Sequence, residues 1–294
     1  MSSIRLLSVL ALVLALAAFT VACGDDDDEA SSGAEEATTA AAEGSEECTA
    51  ENLETFKEGK LTVATDSPAY PPYFIDDDPA NGRGFESAVA YAIAEKLGFE
   101  REDVEWTVVP FNASFAPGPK DFDFDVNQIS ITPKRAQQVD FSSPYYVANQ
   151  AVVALKGSDV ANVTSLADLK DVKFGVQIGT TSLDAVEEVI QPSQEPAVYD
   201  TSNDVVTALK QEQVDAVVVD VPTAFYLTAV QVPKGTIVGQ FSAPGGDEWG
   251  ALLEKDSPLT ECVSWAIDEL RESGELAEIE REWISEKANA PVLE

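Results

Sequence analysis

From residue 60 the chain alternates β-branched runs with amphipathic stretches. "KLTVATD" (60–66), "VEWTVVPF" (104–111), "NQAVVAL" (149–155), "VKFGVQI" (172–178), "VDAVVVD" (214–220) and "WGALLEK" (249–255) have the length and residue types of strands. "FDFDVNQISI" (122–131) predicts a further strand: Asp121, Asp123 and Asp125 alternate with Phe122 and Phe124, a period of two with one polar face. Between them the period lengthens to that of a helix. "FESAVAYAIAEKLGF" (85–99) predicts an amphipathic helix ended by Gly98, and "TPKRAQQVDF" (132–141) and "LADLK" (166–170) short ones. "TTSLDAVEEVI" (180–190), "NDVVTALKQEQ" (203–213) and "PTAFYLTAV" (222–230) read as helices, as do two C-terminal stretches, 259–274 and 275–287. Strands alternating with helices predict an α/β fold with mostly parallel sheets. Two similar strand-loop-helix openings, at 63–89 and 174–189, predict two lobes of like build.

The first 23 residues follow another rule. Arg5 precedes the apolar run "LLSVLALVLALAAFTVA", small residues precede Cys23, and "GDDDDEA" follows rather than a basic flank. That predicts a secretory signal peptide over 1–22 rather than a spanning helix. "TVAC" resembles a bacterial lipobox with Thr20 where leucine is usual, which makes Cys23 the lipidated residue. Residues 24–46 carry no aromatic side chain and are rich in Asp, Glu, Ala, Ser and Thr. Such a segment cannot bury enough apolar surface to order itself, so 23–47 predicts a disordered acidic tether reaching about 25–30 Å as a coil.

Charge and composition narrow the chemistry. The 294 residues hold 18 Lys plus Arg against 53 Asp plus Glu, a net charge of −35. That balance excludes a nucleic-acid partner and electrostatic docking on anionic lipid. Histidine is absent and there are three cysteines, so no His-based triad or cysteine-rich metal site can be built, and no metal or cofactor is expected.

Three constellations carry candidate binding chemistry. In "SITPKR", Thr132 suits an N-cap and Pro133 a first helical position, where outward N–H groups favour anions. Arg135 in that turn opposes the helix dipole, but its planar fork fits a carboxylate; Ser130 lies just before it. "GTTS" (179–182) starts a second helix at a strand end, again anion-friendly and equally consistent with simple capping. "VDAVVVD" ends in Asp220 before Pro222, at the strand end where α/β sheets bind ligands. Asp220 can hold a cation or merely cap the following helix. Arg135, Thr181 and Asp220 together complement a free α-amino acid.

"LTVATDSPAYPPYF", "GFESAVAYAIAEKLGF", "ISITPKRAQQVDFSSPYY", "LADLKDVKFGVQIGTTS" and "VDAVVVD", in this order, resemble the family 3 extracellular solute-binding proteins of amino-acid ABC importers. The resemblance implies a two-lobed periplasmic-binding-protein-like fold with two crossing strands as hinge. Lobe 1 would hold 48–149 and 243–294, and lobe 2 150–242. It implies that Arg135, Ser130 and Thr181 take the ligand carboxylate and Asp220 the amine. Tyr70 and Phe111 would sandwich the ligand side chain, and Asp66 would meet its polar end. Asn127 and Gln128 stand where relatives usually carry small residues, adding amide hydrogen-bonding capacity to the pocket wall. "NASFAPGPKDFDFD" (112–125) replaces a helix of relatives, since two prolines and a glycine oppose one. With Cys23 assigned to lipid, Cys48 and Cys262 remain in an oxidising compartment, either bridged or as two thiols with Cys262 buried. The expected function is a non-enzymatic, lipid-anchored, monomeric receptor on the outer face of the cell membrane. It would capture a free polar amino acid, neutral or cationic, and deliver it to an ABC permease. The alternatives are a sensing receptor and a dehydratase-like enzyme on the same fold.

Overall fold

The structure is a computed structural model that describes residues 47–243, 245–284 and 290–293. The signal segment, Cys23 and the tether up to residue 46 lie outside the described residues.

The strands in chain order are β1 (Leu61–Thr65), β2 (Val104–Val108), β3 (Phe124–Asp125), β4 (Asp140–Val147), β5 (Gln150–Leu155), β6 (Phe174–Gln177), β7 (Ala197–Tyr199), β8 (Ala216–Asp220), β9 (Gly235–Phe241) and β10 (Glu248–Leu253). They form two five-stranded sheets on one plan, β2-β1-β3-β10-β4 and β7-β6-β8-β5-β9. In the first, β1 runs parallel to β2 and β3, while β10 is antiparallel to β3 and β4. In the second, β6 is parallel to β7 and β8, while β5 is antiparallel to β8 and β9. The fourth strand of each sheet is the one that has just crossed from the other lobe. β5 follows β4 across residues 148–149, and β10 follows β9 across 242–247. All five residues of β1 are buried, as a strand covered on both faces requires.

The helices are α1 (Phe85–Lys96), α2 (Phe111–Ser114), α3 (Thr181–Ala185), α4 (Ser202–Lys210), α5 (Val221–Tyr226), α6 (Thr260–Ser273) and α7 (Glu275–Trp283). Both α3 and α5 continue as π-helical turns, to Ile190 and Gln231. The first lobe packs an aromatic-rich core that includes Phe74, Phe85, Trp249, Ile267 and Leu270. The second packs mostly valine and alanine on both faces of its sheet. Cys48 and Cys262 are joined by a disulfide, which ties the start of the described chain to α6.

Four local expectations are corrected. Strand β3 is two residues long; of the three acidic positions in the stretch, Asp121 is exposed while Asp123 and Asp125 are buried, 4% and 0% exposed. Asp123 accepts the Phe56 and Thr62 backbone N–H groups at 2.7 and 2.6 Å, and Asp125 accepts the Ser114 hydroxyl. The alternation is visible in the sequence, but both of its faces are buried, Phe122 and Phe124 as well as Asp123 and Asp125. A short helix does form over 111–114, because Pro117, Gly118 and Pro119 follow it instead of interrupting it. The stretch 132–141 yields only a 3-10 turn, Arg135–Gln137, before β4 begins at Asp140. Finally, residues 290–293, assigned to lobe 1, lie on the second sheet. Val292 bridges Gln240, and Leu293 is buried in the second lobe's core. Gly239 makes room for it: a Cβ there would stand 2.6 Å from Leu293 Cγ.

Candidate ligand-binding site

Between the two sheets lies a cleft of about 430 Å³. Its walls are the loops that leave the carboxyl ends of β1, β6 and β8, where an open α/β sheet offers backbone groups and side chains to a ligand. Thr65 to Phe74, Pro110 to Asn112 and Asn127 to Arg135 contribute from the first lobe, and 177–182, 200–206 and 218–231 from the second.

Arg135 is placed by a local device. Thr132 Oγ1 accepts the Arg135 backbone N–H at 3.2 Å, so the turn is capped from within. The guanidinium, 7% exposed, donates to Ser130 O at 2.7 Å and to Gly179 O of the other lobe at 2.9 Å. The Phe115 and Phe111 rings lie 4.6 and 5.5 Å from its central carbon. Burial lowers its pKa to about 10, against the pull of Asp247, Asp184 and Asp220, so it stays charged at neutral pH. The Ser130 and Thr181 hydroxyls face each other across the cleft at 3.2 Å. Thr180, not Thr181, caps α3.

Asp220 stands at the N-cap position of α5, yet its side chain makes no capping bond. It accepts Gln150 Nε2 at 2.6 Å instead. Burial and the nearby Asp247 push its pKa well above the usual carboxylate range, opposed by the Gln150 hydrogen bond and the Arg135 charge. A half-buried carboxylate short of a counter-ion at one end, and a buried guanidinium at the other, complement a zwitterion.

Two residues of the side-chain subsite also bond within the protein. Asp66 lines the cleft, but it also accepts the Ser67 and Phe111 backbone N–H groups at 2.7 and 3.2 Å, so it fixes the two loops it joins. Gln128 lines the cleft in a left-handed conformation, φ 51°, and donates its amide nitrogen to the buried Glu86. Its backbone N–H donates to the same carboxylate at 2.6 Å. Asn127 does present a free amide: Nδ2 is buried and has no partner within the protein. Phe111 lines the cleft and packs edge-on to Phe115, 5.3 Å between centroids. Tyr70 lies 5.8 Å from Tyr226 of the other lobe and donates its hydroxyl to Asn203 at 2.9 Å.

Several site residues escaped sequence reasoning. Tyr73 meets Thr223 across the cleft at 2.8 Å. Glu86 takes the Tyr145 hydroxyl at 2.5 Å as well as Gln128, and burial pushes it up to about 7. Gln150 and Asp247, on the two crossings, join Asp220 and Thr181. "PGGDEWG" signals a turn, and nothing in it says that the aspartate points inward. Among the described residues no group of His, Cys, Asp and Glu could hold a metal ion, and no helix is long and apolar enough to cross a membrane.

Two α/β lobes that meet over a polar cleft define the class of binding proteins that clamp a small solute between domains. The chain belongs to the bacterial extracellular solute-binding proteins, family 3, whose family model matches residues 61–286. It is 30% identical over 232 residues to the arginine-binding extracellular protein ArtP of Bacillus subtilis (strain 168), covering 77% of this chain and 86% of that protein. The L-cystine-binding protein TcyJ of Escherichia coli (strain K12) is 27% identical over 228 residues, 76% and 82% of the two chains. Among solved structures, an ancestral arginine-binding protein bound to glutamine matches with a TM-score of 0.66 at 33% identity, over 78% of this chain and 99% of that one.

Proposed function

We propose that this protein is a lipid-anchored, extracytoplasmic receptor that clamps one free amino acid between its lobes, as a monomer, and hands it to an ABC permease. Arg135, with Ser130 and Thr181, takes the carboxylate, Asp220 takes the ammonium, and Asp66, Tyr70, Phe111 and Asn127 meet the side chain. Cys23 carries the lipid.

The observation that carries this reading is the charge of the cleft. Its lining includes one cation, Arg135, and three carboxylates, Asp66, Asp200 and Asp220. Once Arg135 and Asp220 pair with the two ends of the ligand, Asp66 and Asp200 remain. That favours a cationic or neutral polar side chain and repels an acidic one. Arg83 does not offset them, because it is paired with Asp76 at 2.8 Å on an exposed turn. The arginine-binding relative and the glutamine-bound ancestral protein support the same ligand class.

A thermal-shift screen of the twenty amino acids tests it, since a ligand that binds only the folded state raises the melting temperature. L-arginine should give the largest shift, L-glutamine a smaller one, and L-glutamate and L-aspartate none. A largest shift with an acidic amino acid would contradict the side-chain assignment.

A further inference from the structure

The two crossings are not plain connectors. Each ends at one fully buried polar side chain: Gln150, the first residue of β5, and Asp247, the last before β10, both 0% exposed. Gln150 Nε2 donates to Asp247 Oδ2 at 2.5 Å and to Asp220 Oδ1 at 2.6 Å. Gln150 Oε1 accepts the Ser182 hydroxyl at 2.6 Å. The Thr181 hydroxyl donates to the Asp247 carboxylate, 3.3 Å to Oδ2 and 3.5 Å to Oδ1. The backbones of the crossings are tied as well, with Ala148 N–H donating to Asp247 O at 2.8 Å. Asp247 is turned inward by Gly245 and Gly246, whose φ angles of 77° and 85° suit glycine and few other residues. Asp247 does not line the cleft; it stands behind Thr181 and Ser130.

From this arrangement we infer that Asp247 is a positioning residue of the ligand site: with Gln150 it forms a bridge, carried on the hinge, that sets Thr181 at the carboxylate end and Asp220 at the amine end together. The inference rests on the amino-acid reading above. Its physical content is that one hinge position, not two independent local structures, satisfies both subsites. A single amide nitrogen holds two carboxylates, and each of these serves a different end of the ligand site. When the crossings rotate, Gln150 and Asp247 move relative to Thr181 and Asp220, so both subsites are lost or formed at once. The charged groups that face Asp247 are Arg135 and Asp220, and the polar ones are Ser130, Gln150 and Thr181. Burial raises its pKa and those three hydrogen bonds lower it, which fits a carboxylate held by donors from both lobes and the first crossing.

The test compares replacements of similar size at 247. L-arginine is titrated calorimetrically into the full folded chain, wild type, Asp247→Leu and Asp247→Asn, with the unliganded melting temperature of each as a check of folding. Asp247→Leu should weaken binding at least tenfold. Asp247→Asn, which keeps an acceptor oxygen for Thr181 and Gln150, should bind at least fivefold more tightly than the leucine variant. A residue that merely fills space would give the same affinity with either side chain, and that result overturns the inference. Gln150→Met removes the bridge from its other end and decides the matter should Asp247→Leu fail to fold: a loss under threefold overturns it. If the wild type binds none of the twenty amino acids, the functional reading itself fails and takes the inference with it. Normal wild-type binding with unaffected variants overturns the inference alone.

Discussion

The two lobes share one topology and divide the chemistry. Each sheet sets three parallel strands beside an antiparallel strand that has crossed from its neighbour. Common topology therefore explains where the cleft is: both sheets aim their carboxyl ends at it. It does not explain what each wall does. The first lobe supplies the guanidinium and most of the aromatic surface, and it buries Glu86, Asp123 and Asp125 behind that wall. The second supplies a capped helix start and a carboxylate on an otherwise valine-rich sheet. The lobe with more buried charge is also the one fastened by the disulfide, and the lobe with the plainer core is closed by the chain's tail. Fold and site are separable: the strands place the loops, and a few polar side chains give each wall its sign.

The largest expected effect that sharpens this contrast comes from the disulfide. Its cysteines are 214 residues apart, and the chain-entropy model assigns such a bridge about 5 kcal/mol as an upper value. Replacing both Cys48 and Cys262 by serine should lower the unfolding free energy by several kcal/mol in denaturant. Hydrogen exchange should locate the loss in β1, α1 and α6, with β5 and β8 largely unchanged. Equal loss of protection in both sheets would mean that the lobes do not differ in this respect.

Next in size is a pH effect confined to the first lobe. Burial pushes Asp125 up to about 7, against a hydrogen bond from Ser114. A carboxyl whose folded pKa lies above its unfolded one binds its proton more tightly when folded. The stability it contributes is therefore complete at low pH, falls as pH rises from about 4 to about 7, and is gone above that window. Asp125→Asn should raise stability at pH 8 by roughly 3 kcal/mol and change it little at pH 4. A variant equally stable to wild type at both values would show that Asp125 is not a strained buried acid.

The second lobe has its own, smaller test. Leu293 is 4% exposed, in the second lobe's core. Leu293→Ala should cost about 2 kcal/mol, at the low end for a buried leucine. The protection lost should lie in β9. Loss in β10 instead would place the tail's effect in the wrong lobe.

Much of this fold was legible from side-chain periodicity alone. The apolar spacing of 85–96 and the β-branched run 216–220 each meet the structure within a few residues, because burial on one face or on both leaves a period. The turn at Thr132-Pro133 and the Arg135 behind it were legible for another reason: capping chemistry is local. What stayed hidden depends on the chain meeting itself. The burial of Asp123 depends on the backbone N–H groups of Phe56 and Thr62, some sixty residues away. Gln128 lines the cleft, but its amide nitrogen is taken by the buried Glu86, which no local pattern announces. Nothing in the sequence singles out Asp247. Its neighbours Gln150, Thr181 and Asp220 come from three other segments, and no pattern within 243–250 could announce them.

The central claim is that two unlike walls grip the two ends of one free amino acid. Calorimetric titration of L-arginine into the wild type, Arg135→Lys and Asp220→Asn tests it most directly, one variant for each lobe. The wild type should bind one molecule per chain. Arg135→Lys keeps the charge but loses the planar fork, and Asp220→Asn keeps the shape but loses the charge, so each should weaken binding by at least a hundredfold, about 2.7 kcal/mol. Near-normal affinity in either variant would contradict the account, because one wall would then be holding the ligand alone.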